Sequence, residues 1–275
     1  MSATSSTSSK NKVAIITGGL SGIGLGLVKY YLRENYHIVV FDRVALNELV
    51  TQCDQATNQL MRGLQVSYYQ VNMANNKQVQ QAVKQVVTDF GRPNLVINCA
   101  GILRAGRFVD LSADDFTASY QVNVLGSRHL AAACLPVMQS GDHFAFIASM
   151  AGTVGIYGYS AYGSSKFAVL GMAQCIRAEY APTGIHISVI CPPEIATPMV
   201  ADEIKTMHPA TRVLKDFAGR LTLQQALKGI TQGLAKHQFM IVPGSKAKCT
   251  LWLNRLTPVW IQNWVIDMVV RWHKS

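Results

Sequence analysis

The sequence predicts an α/β fold: a doubly wound parallel sheet with helices on both faces, followed by a C-terminal amphipathic extension. Short apolar, β-branched runs alternate with longer amphipathic stretches, which is typical of a parallel sheet covered on both sides. A cluster of glycines follows the first run, and polar residues follow several of the others. Because ligands of such sheets bind beyond the carboxyl ends of the strands, we expect these residues to converge there.

The composition agrees with a folded protein that buries a substantial core. Its 275 residues are 49% hydrophobic and 15% charged, which excludes a disordered chain. The six cysteines are scattered without a C-x-x-C pair, so we expect reduced thiols, a cytoplasmic compartment and no metal site. Residues 1–11, rich in serine and threonine, are predicted to be a disordered tail rather than a targeting segment.

The first strand, Val13–Thr17, runs directly into the segment TGGLSGIG. Its glycines Gly18, Gly22 and Gly24 lie at a strand-to-helix junction, where they permit a tight turn and a close approach of backbone N–H groups to a pyrophosphate. A plain glycine-rich turn would show the same spacing. The strand before it and the helix after it favour a Rossmann-type nucleotide site, and residues 12–245 are predicted to be this single domain.

The second strand, HIVVF, ends at Asp42, which lies 18 positions after Gly24. A carboxylate at about this distance accepts hydrogen bonds from the ribose hydroxyls of a dinucleotide and repels a 2′-phosphate. Ser21 stands in the glycine loop where a basic residue would bind that phosphate. Both residues favour NAD(H). Arg43 is a guanidinium beside the same pocket and leaves NADP(H) open.

The remaining elements continue the alternation of strands and helices. We predict a strand at Val66–Val71, a helix from about Lys77 to Phe90, the strand NLVIN, a long helix containing Asn123, the strand HFAFIA, a helix through Tyr180, the strand HISVIC, a helix over Thr222–Lys236 and the short strand FMIVPG. Gly18, Asp42, Asn98, Ser149 and Pro192 each follow one of these strands, which is the strongest argument for a single site.

A second group of residues brings together a hydroxyl, a phenol and an ammonium. Ser149 follows the run HFAFIA; Tyr162 comes 13 residues later, and Lys166 follows after four more. Tyr162 and Lys166 are expected on one face of a helix, one turn apart. A cation held there stabilises the phenolate and lowers the pKa of the tyrosine toward the range of a general acid/base. An exposed helical pair would look the same, but the upstream nucleotide site favours catalysis.

Over residues 12–245 the chain resembles the short-chain dehydrogenase/reductase family. The family pattern T-G-x-x-x-G-x-G is matched by Thr17–Gly24, N-x-A-G by Asn98–Gly101, and S…Y-x-x-x-K by Ser149, Tyr162 and Lys166, with Asn123 at the family's helix asparagine. The resemblance implies that Tyr162 exchanges a proton with the substrate oxygen and that Ser149 orients the carbonyl. It also implies that Lys166 binds the nicotinamide ribose and that Asn123 holds a water for proton relay.

The same resemblance implies a set of cofactor-binding residues. They are Thr17, Gly18, Leu20, Ser21, Gly22, Ile23, Gly24, Asp42, Arg43, Asn72, Met73, Asn98, Ala100, Gly101, Tyr162, Lys166, Pro192, Ile195 and Thr197. The chain departs from the family pattern at Cys99, Asn72 and Cys191, and Pro193 replaces its glycine. The segment CPPEIATPM resembles the 3-ketodihydrosphingosine reductase branch, which generally prefers NADPH, whereas Asp42 favours NAD(H).

Residues 198–220 are predicted to be a mixture of helix and loop, and the family resemblance implies that they form the lid of the substrate pocket. Met199, Val200, Ile204 and Met207 would line an apolar pocket, or would simply pack a helix. The extension, residues 246–275, has apolar runs far shorter than the roughly 18 residues that a transmembrane helix needs.

The extension combines a narrow polar stripe with tryptophan and positive charge. Asn263, Asp267 and Arg271 recur every four positions, and Trp260, Trp264 and Trp272 suit a membrane interface. Residues 201–275 hold 11 Lys and Arg against 4 Asp and Glu, so +7 of the net charge of +10 lies in this last quarter. The pattern predicts a peripheral contact with anionic lipid, or a segment folded over the pocket or packed in a subunit interface. Nucleic acid is not an expected partner because no recognition motif is present.

These observations predict an oxidoreductase that transfers a hydride between NAD(H) and a secondary alcohol or ketone of a lipophilic substrate. The alternative within the same class is an NADPH-dependent 3-ketolipid reductase. The alternative of another class is a nucleotide-binding, membrane-recruited scaffold without catalysis. The family resemblance further implies a homodimer or homotetramer, and we expect a cytoplasmic protein, peripheral to a membrane where the extension binds lipid.

Overall fold

The computed structural model describes residues 12–48, 54–204 and 207–273, so the predicted tail and Cys53 lie outside the described residues. Strands and helices alternate along the chain. The first half contains β1 (Val13–Thr17), α1 (Gly22–Arg33), β2 (His37–Asp42), α2 (Gln55–Met61), β3 (Val66–Gln70), α3 (Asn76–Phe90), β4 (Leu95–Asn98), α4 (Ala113–Ser119), a π-helix (Tyr120–Leu125) and α5 (Gly126–Cys134).

The second half begins with the strand that leads to Ser149. It contains β5 (His143–Ile147), α6 (Ser160–Tyr180), β6 (His186–Ile190), β7 (Glu194–Ile195), α7 (Pro198–Ile204), α8 (Pro209–Ala218), β8 (Arg220–Leu221), α9 (Leu223–Ala235), β9 (Met240–Ile241), α10 (Ser245–Leu256) and α11 (Val259–Trp272). Short 3₁₀ turns lie at Leu46–Glu48, Phe108–Asp110, Leu135–Val137, Met150–Gly152 and Ala181–Thr183.

The main sheet has seven parallel strands in the order β3-β2-β1-β4-β5-β6-β9, which confirms the doubly wound fold. The chain runs outward from β1 to β3 and then returns to β4 on the other side of β1. This reversal separates the loops after β1 and β4 and so opens a crevice at their carboxyl ends. A small second sheet pairs β7 with β8, next to the lid.

Each strand of the centre is buried on both faces, which is why these strands are continuous apolar runs. In β1 the side chains of Val13 and Ile15 pack into one core cluster, and those of Ala14 and Ile16 pack into the other. The first cluster is closed by α3, α5 and α6, and the second by α1 and α9. The alternation of side chains along a strand therefore divides the core into two layers.

The structure differs from the predicted elements in two places that matter for the site. The long helix that contains Asn123 changes its hydrogen-bond pattern in the middle, because a π-helical turn, Tyr120–Leu125, lies between α4 and α5. Residues 198–220 are more regular than the sequence indicated. They form α7 and α8, and α8 begins at Pro209 after His208, whose Nδ1 accepts a hydrogen bond from the backbone N–H of Ala210.

The C-terminal extension is a pair of helices, and the polar stripe of Asn263, Asp267 and Arg271 lies on the second of them, α11. Both α10 and α11 pack against α8, and the Thr250 hydroxyl of α10 donates to the carbonyl oxygen of Phe217 at 2.7 Å. No helix within the described ranges is long and apolar enough to cross a bilayer. The extension thus lies directly on the lid.

Candidate active site

A cavity of about 910 Å³ lies at the carboxyl ends of the strands, where the sequence predicts the site. Most of the predicted site residues line it: Gly18, Ser21, Gly22, Ile23, Gly24, Asp42, Arg43, Asn72, Met73, Ala100, Gly101, Ser149, Tyr162, Lys166, Pro192, Ile195 and Thr197. Four others, Thr17, Leu20, Asn98 and Asn123, lie behind this lining instead. The tertiary structure therefore brings the cofactor motifs and the Ser149–Tyr162–Lys166 group into one space.

The glycine loop at one end of the cavity has a backbone that only glycine adopts readily. Gly18 and Gly22 have φ values of +64° and +51°, in the left-handed region. A Cβ atom on Gly24 would lie 2.1 Å from the carbonyl oxygen of Gly18, so α1 begins closer to this loop than any side chain would allow. The cradle exposes the N-terminus of α1 to the cavity, which is the geometry that a pyrophosphate requires.

Asp42 lies at the end of β2, and both Asp42 and Arg43 line the cavity. Burial raises the pKa of Asp42, while backbone N–H groups of Arg43, Val44 and Leu20 and the charge of Arg43 lower it. The N–H of Arg43 donates to Oδ1 of Asp42 at 2.8 Å. These bonds orient the carboxylate at the cavity wall, and Leu20 takes part through its backbone rather than as a lining residue.

Thr17 and Asn98 form a buried support beneath the cavity. The Thr17 hydroxyl donates to Oδ1 of Asn98 at 2.7 Å and accepts from the N–H of Ala100 at 2.9 Å. Asn98 in turn donates from Nδ2 to the Ser127 hydroxyl at 2.7 Å. The two predicted site residues thus join the ends of β1 and β4 and hold the loop at Ala100 and Gly101 against the cavity.

Ser149, Tyr162 and Lys166 come together where β5 ends and α6 begins. The Nζ of Lys166 donates to the carbonyl oxygen of Ile147 at 2.9 Å and lies 5.6 Å from the centroid of the Tyr162 ring. Burial lowers the pKa of Lys166 to about 8. Burial also raises the pKa of Tyr162 to about 12, which outweighs the lowering effect of its hydrogen bond with Ser149; the charge of Glu203 raises it further. The pKa of Tyr162 is therefore raised, opposite to the direction expected from Lys166 alone.

Asn123 is buried in the π-helix, and its side-chain amide bonds to both the N–H and the carbonyl group of Ile102. Its Oδ1 accepts from the N–H of Ile102 at 2.8 Å, and its Nδ2 donates to the carbonyl oxygen of Ile102 and to the Ser165 hydroxyl. A Cβ on Gly101 would lie 3.2 Å from Oδ1 of Asn123 and 3.5 Å from Nζ of Lys166. Asn123 and Lys166 thus approach the same small gap, and the π turn holds the asparagine there.

Three of the residues at which the chain departs from the family pattern, Cys99, Cys191 and Asn72, have protonated thiols or a local turn contact. Burial raises the pKa values of the Cys99 and Cys191 thiols to about 12, so both remain protonated. Oδ1 of Asn72 accepts from the N–H of Ala74 at 3.0 Å. Every cysteine within the described ranges is a free thiol, and these ranges contain no cluster suited to a metal ion.

The lid side of the cavity is formed by the predicted apolar residues only in part. Met199 and Val200 line it, together with Val154, Ile156 and Leu214, whereas Ile204 points outward and is 49% exposed. Met207 is not part of the lining either. The apolar wall therefore comes from the loop after β5 and from both lid helices.

The sequence analysis missed a charged cluster in the same wall, formed by Tyr159, Glu194, Glu203 and Lys215. Lys215 pairs through Nζ with Oε2 of Glu194 at 2.7 Å and with Oε2 of Glu203 at 2.8 Å, and the Tyr159 hydroxyl donates to Oε1 of Glu203. Tyr159 immediately precedes α6, Glu194 lies in β7, Glu203 in α7 and Lys215 in α8. These ion pairs join separate helices and strands, so no local sequence pattern predicts them. The sequence signal for the cluster is the acidic residue Glu194 in CPPEIATPM.

The residues present fit a nicotinamide dinucleotide. The glycine cradle fits the pyrophosphate and Asp42 fits a ribose. Lys166 lines the cavity next to Tyr162, and Thr197 lines it beside Gly22 of the glycine loop. When bound there, such a cofactor would supply the hydride chemistry, and the protein would supply placement and proton transfer.

Comparison with known proteins agrees with this site. Residues 12–208 match the family described as short chain dehydrogenase. The 3-ketodihydrosphingosine reductase of Mus musculus is 28% identical over 234 residues, covering 84% of this chain and 70% of the relative. Oxidoreductase UcpA of Escherichia coli O157:H7 is also 28% identical, over 78% of this chain and 81% of the relative.

Two solved structures have the same fold. A short chain dehydrogenase/reductase from Burkholderia phymatum in complex with NAD is 23% identical, with a TM-score of 0.75 over 89% of this chain and 92% of the other. ElxO with NADP bound is 24% identical, with a TM-score of 0.74 over 87% of this chain and 99% of the other. The matched family model covers most of the chain, so this protein belongs to the short-chain dehydrogenase family of oxidoreductases, which act on CH–OH groups with a nicotinamide cofactor.

Proposed function

We propose that this protein interconverts a secondary alcohol and a ketone of a lipophilic substrate with NAD(H), using Tyr162 as the acid/base. The observation that carries the proposal is that Ser149, Tyr162 and Lys166 share one cavity with the glycine loop. A substrate carbonyl held beside Tyr162 would take the proton at its oxygen, and a nicotinamide bound in the same cavity would supply the hydride to its carbon. This proximity supplies much of the rate enhancement in such reactions.

Tyr162 acts as the proton donor during reduction. Its raised pKa of about 12 keeps the hydroxyl protonated at neutral pH, ready to transfer the proton to the carbonyl oxygen as negative charge develops there. During oxidation the same oxygen accepts the proton of the substrate hydroxyl. Ser149, which bonds to the Tyr162 hydroxyl, holds the substrate oxygen in line with it.

Lys166 and Asn123 assist the proton transfer by Tyr162. The positive charge of Lys166 stabilises a phenolate on Tyr162, and the hydrogen bond to Ile147 fixes the ammonium in place. Asn123 approaches the gap beside Lys166, so we propose that it holds a water there that returns protons from solvent. Its buried amide, fixed by Ile102, gives that water a constant partner.

NAD(H) is the cofactor that the carboxylate of Asp42 favours. At the cavity wall its oxygens would accept from the ribose hydroxyls, and its charge would repel a 2′-phosphate. Arg43 is exposed on the same wall and is the feature that would tolerate NADP(H). The two fold relatives described above carry NAD in one case and NADP in the other.

The apolar wall formed by Ile156, Met199, Val200 and Leu214 supports a lipophilic substrate. A second candidate, an NADPH-dependent 3-ketolipid reductase, is favoured by the similarity to the 3-ketodihydrosphingosine reductases of Mus musculus and Bos taurus, each 28% identical over 84% of this chain. A non-catalytic, nucleotide-binding scaffold has less support, because the complete catalytic group is assembled.

We also propose that the extension contacts a membrane surface while it covers the lid. Trp260, Trp264 and Trp272 of α11 are 71%, 61% and 81% exposed, although α10 and α11 pack against α8. The described part of the extension holds Lys246, Lys248, Arg255 and Arg271 against Asp267, a balance that suits anionic lipid. Such an enzyme would be peripheral to a membrane on its cytoplasmic side, and a homodimer or homotetramer is the assembly that the family resemblance implies.

The experiment that tests the proposed function measures NAD(H)- and NADP(H)-dependent conversion of long-chain secondary alcohols and ketones by wild type and Tyr162→Phe. We expect turnover in the wild type and a loss of at least about 100-fold in the variant, which should still bind NAD(H). Turnover that survives in Tyr162→Phe would reject the assigned chemistry. Nucleotide binding without turnover of any such substrate would favour the scaffold.

A further inference from the structure

We propose that Glu203 is a positioning residue for the catalytic tyrosine: from the lid it holds Tyr159 against the ring of Tyr162 and places a negative charge in the wall of the cavity that Tyr162 lines. This inference rests on the proposed role of Tyr162. It concerns the charged cluster of Tyr159, Glu194, Glu203 and Lys215, which the hydride transfer itself does not use. Contacts among these four residues join the lid to the start of the catalytic helix.

The cluster is buried although it lines the cavity. The side chains of Glu203, Glu194 and Lys215 are 2%, 3% and 9% exposed. Buried ion pairs contribute little net stability, because desolvation of the charges offsets their attraction, and their best-attested use is to fix one arrangement over its alternatives. A buried cluster next to a catalytic group is therefore better explained by positioning than by stability.

The cluster connects the two lid helices to the segment that carries Tyr162. Lys215 of α8 bonds to Glu203 of α7 and to Glu194 of β7 at 2.8 and 2.7 Å. Glu203 then accepts from the hydroxyl of Tyr159, the residue that immediately precedes α6. One chain of bonds thus runs from the lid, across the cavity wall, to the start of the catalytic helix.

Tyr159 passes this constraint to Tyr162 through ring contact. The two rings meet edge to face, with centroids 5.4 Å apart and an interplanar angle of 78°. Nζ of Lys215 lies over the Tyr159 ring, 5.5 Å from its centroid. This cation–π contact also holds the ring in place. Burial raises the pKa of Tyr159 and the charge of Glu203 raises it further, so this phenol stays a hydrogen-bond donor.

The charged and titratable groups that face Tyr162 come from three directions. Lys166 lies on its own helix, Ser149 at the end of β5, and Tyr159 and Glu203 on the lid side. Among the charged groups, Glu203 opposes formation of the phenolate, whereas Lys166 favours it. The lid therefore contributes to the proton affinity of Tyr162, and removal of the Glu203 charge makes the phenolate easier to form.

The test reads the ionisation of Tyr162 directly and needs no substrate. The full-length protein is labelled with tyrosine carrying ¹³C at Cζ, saturated with NAD⁺, and titrated up to pH 11, with the Tyr162 signal assigned by its absence in Tyr162→Phe. Glu203→Gln keeps an acceptor for the Tyr159 hydroxyl but removes the charge. We expect its fraction of Tyr162 phenolate at pH 11 to be about two- to fivefold that of wild type.

Two variants separate this effect from damage to the fold. Glu203→Asp retains the charge and is expected to restore a phenolate fraction near that of wild type. Asp216→Asn removes an acid of α8 that pairs with Arg212 and Arg220 and is 52% exposed, and it should leave the Tyr162 titration unchanged. If Glu203→Gln does not fold, Tyr159→Phe, which keeps the ring but releases Glu203, is expected to change the Tyr162 titration too.

An unchanged Tyr162 titration in folded Glu203→Gln, or an equal change in Asp216→Asn, would overturn the proposal. The failure of the proposed function has a different signature. There the wild type would lack turnover of long-chain alcohols and ketones, whatever the titration of Tyr162 shows. Separate measurements therefore test the two proposals: the titration of Tyr162 tests the role of Glu203, and turnover tests the proposed function.

Discussion

Nζ of Lys166 donates a hydrogen bond to the carbonyl oxygen of Ile147, 2.9 Å away, at the last residue of β5. The bond ties the catalytic helix to the central sheet at the point where the strand leads to Ser149. It also gives the buried ammonium a fixed partner beside Tyr162. The geometry of the catalytic group thus depends on a contact between residues that are 19 positions apart.

We predict that Lys166→Met lowers kcat by about 100-fold or more, because Tyr162 loses the cation that stabilises its phenolate. NAD(H) affinity should fall as well, since Lys166 lines the end of the cofactor site. Steady-state kinetics and NAD(H) titration measure the two effects. Lys84→Met, an exposed lysine of α3, is the control and should resemble wild type. Full activity of Lys166→Met would contradict the assigned role.

Gly24→Ala should weaken NAD(H) binding by at least about tenfold, because the added Cβ would meet the backbone of Gly18 and not a movable side chain. Fluorescence titration with NADH measures the affinity. Gly171→Ala is the matched control: it lies in α6, and nothing would lie within 4 Å of its Cβ. That control should bind NADH normally and gain about 1 kcal/mol of stability from its higher helix propensity.

Asp42→Ala should relax the preference for NAD(H) by about tenfold or more, through the loss of both the ribose hydrogen bonds and the repulsion of a 2′-phosphate. Titration of wild type and variant with NADH and NADPH measures the ratio of affinities. Arg43→Ala is the companion variant and should weaken NADPH more than NADH. A wild type that prefers NADPH would mean that Arg43 governs the pocket, and would favour the 3-ketolipid reductase.

The free energy of unfolding should decrease as the pH falls from about 6.5 toward 3. His143 is buried against the Ser188 hydroxyl, and burial lowers its pKa to about 3, with smaller effects from His237 and His186. The folded state therefore keeps this histidine neutral in a range where the unfolded chain binds a proton, which costs on the order of 1 to 3 kcal/mol.

Urea unfolding at pH 7, 5 and 4 measures this dependence. His143→Gln, which retains a polar partner for Ser188, should show a shallower decrease than wild type. His273→Gln, at the end of α11, is the control and should keep the wild-type slope. Equal slopes in wild type and His143→Gln would show that other groups control the acid stability.

Replacement of Trp260, Trp264 and Trp272 by alanine should reduce co-sedimentation with phosphatidylcholine–phosphatidylserine vesicles at least several-fold, because these side chains supply much of the exposed apolar area of α11. Added salt should reduce binding of the wild type, since basic residues contribute. Alanine at Phe108 and Val109, which are 70% and 73% exposed elsewhere, is the control. Unchanged sedimentation of the tryptophan variant would reject the membrane contact.

The sequence alone predicts the doubly wound sheet, because the central strands β1, β2, β4, β5 and β6 are buried on both faces and therefore appear as short apolar runs. It also determined which residues meet at the carboxyl ends of these strands, since glycine spacing and the Ser149–Tyr162–Lys166 offsets are local patterns. Alternation and spacing report which face a residue occupies. They carry no information about the partner on another element.

Only the tertiary structure decided the features that depend on such partners. The π turn at Asn123 follows from its bonds to Ile102, and the pairing of Glu203 with Tyr159 joins residues 44 positions apart. The extension lies on α8 because both of its helices find packing there, which no pattern within residues 246–275 reveals. Burial raises the pKa of Tyr162, and the charge of Glu203 raises it further. Both are properties of the assembled cavity.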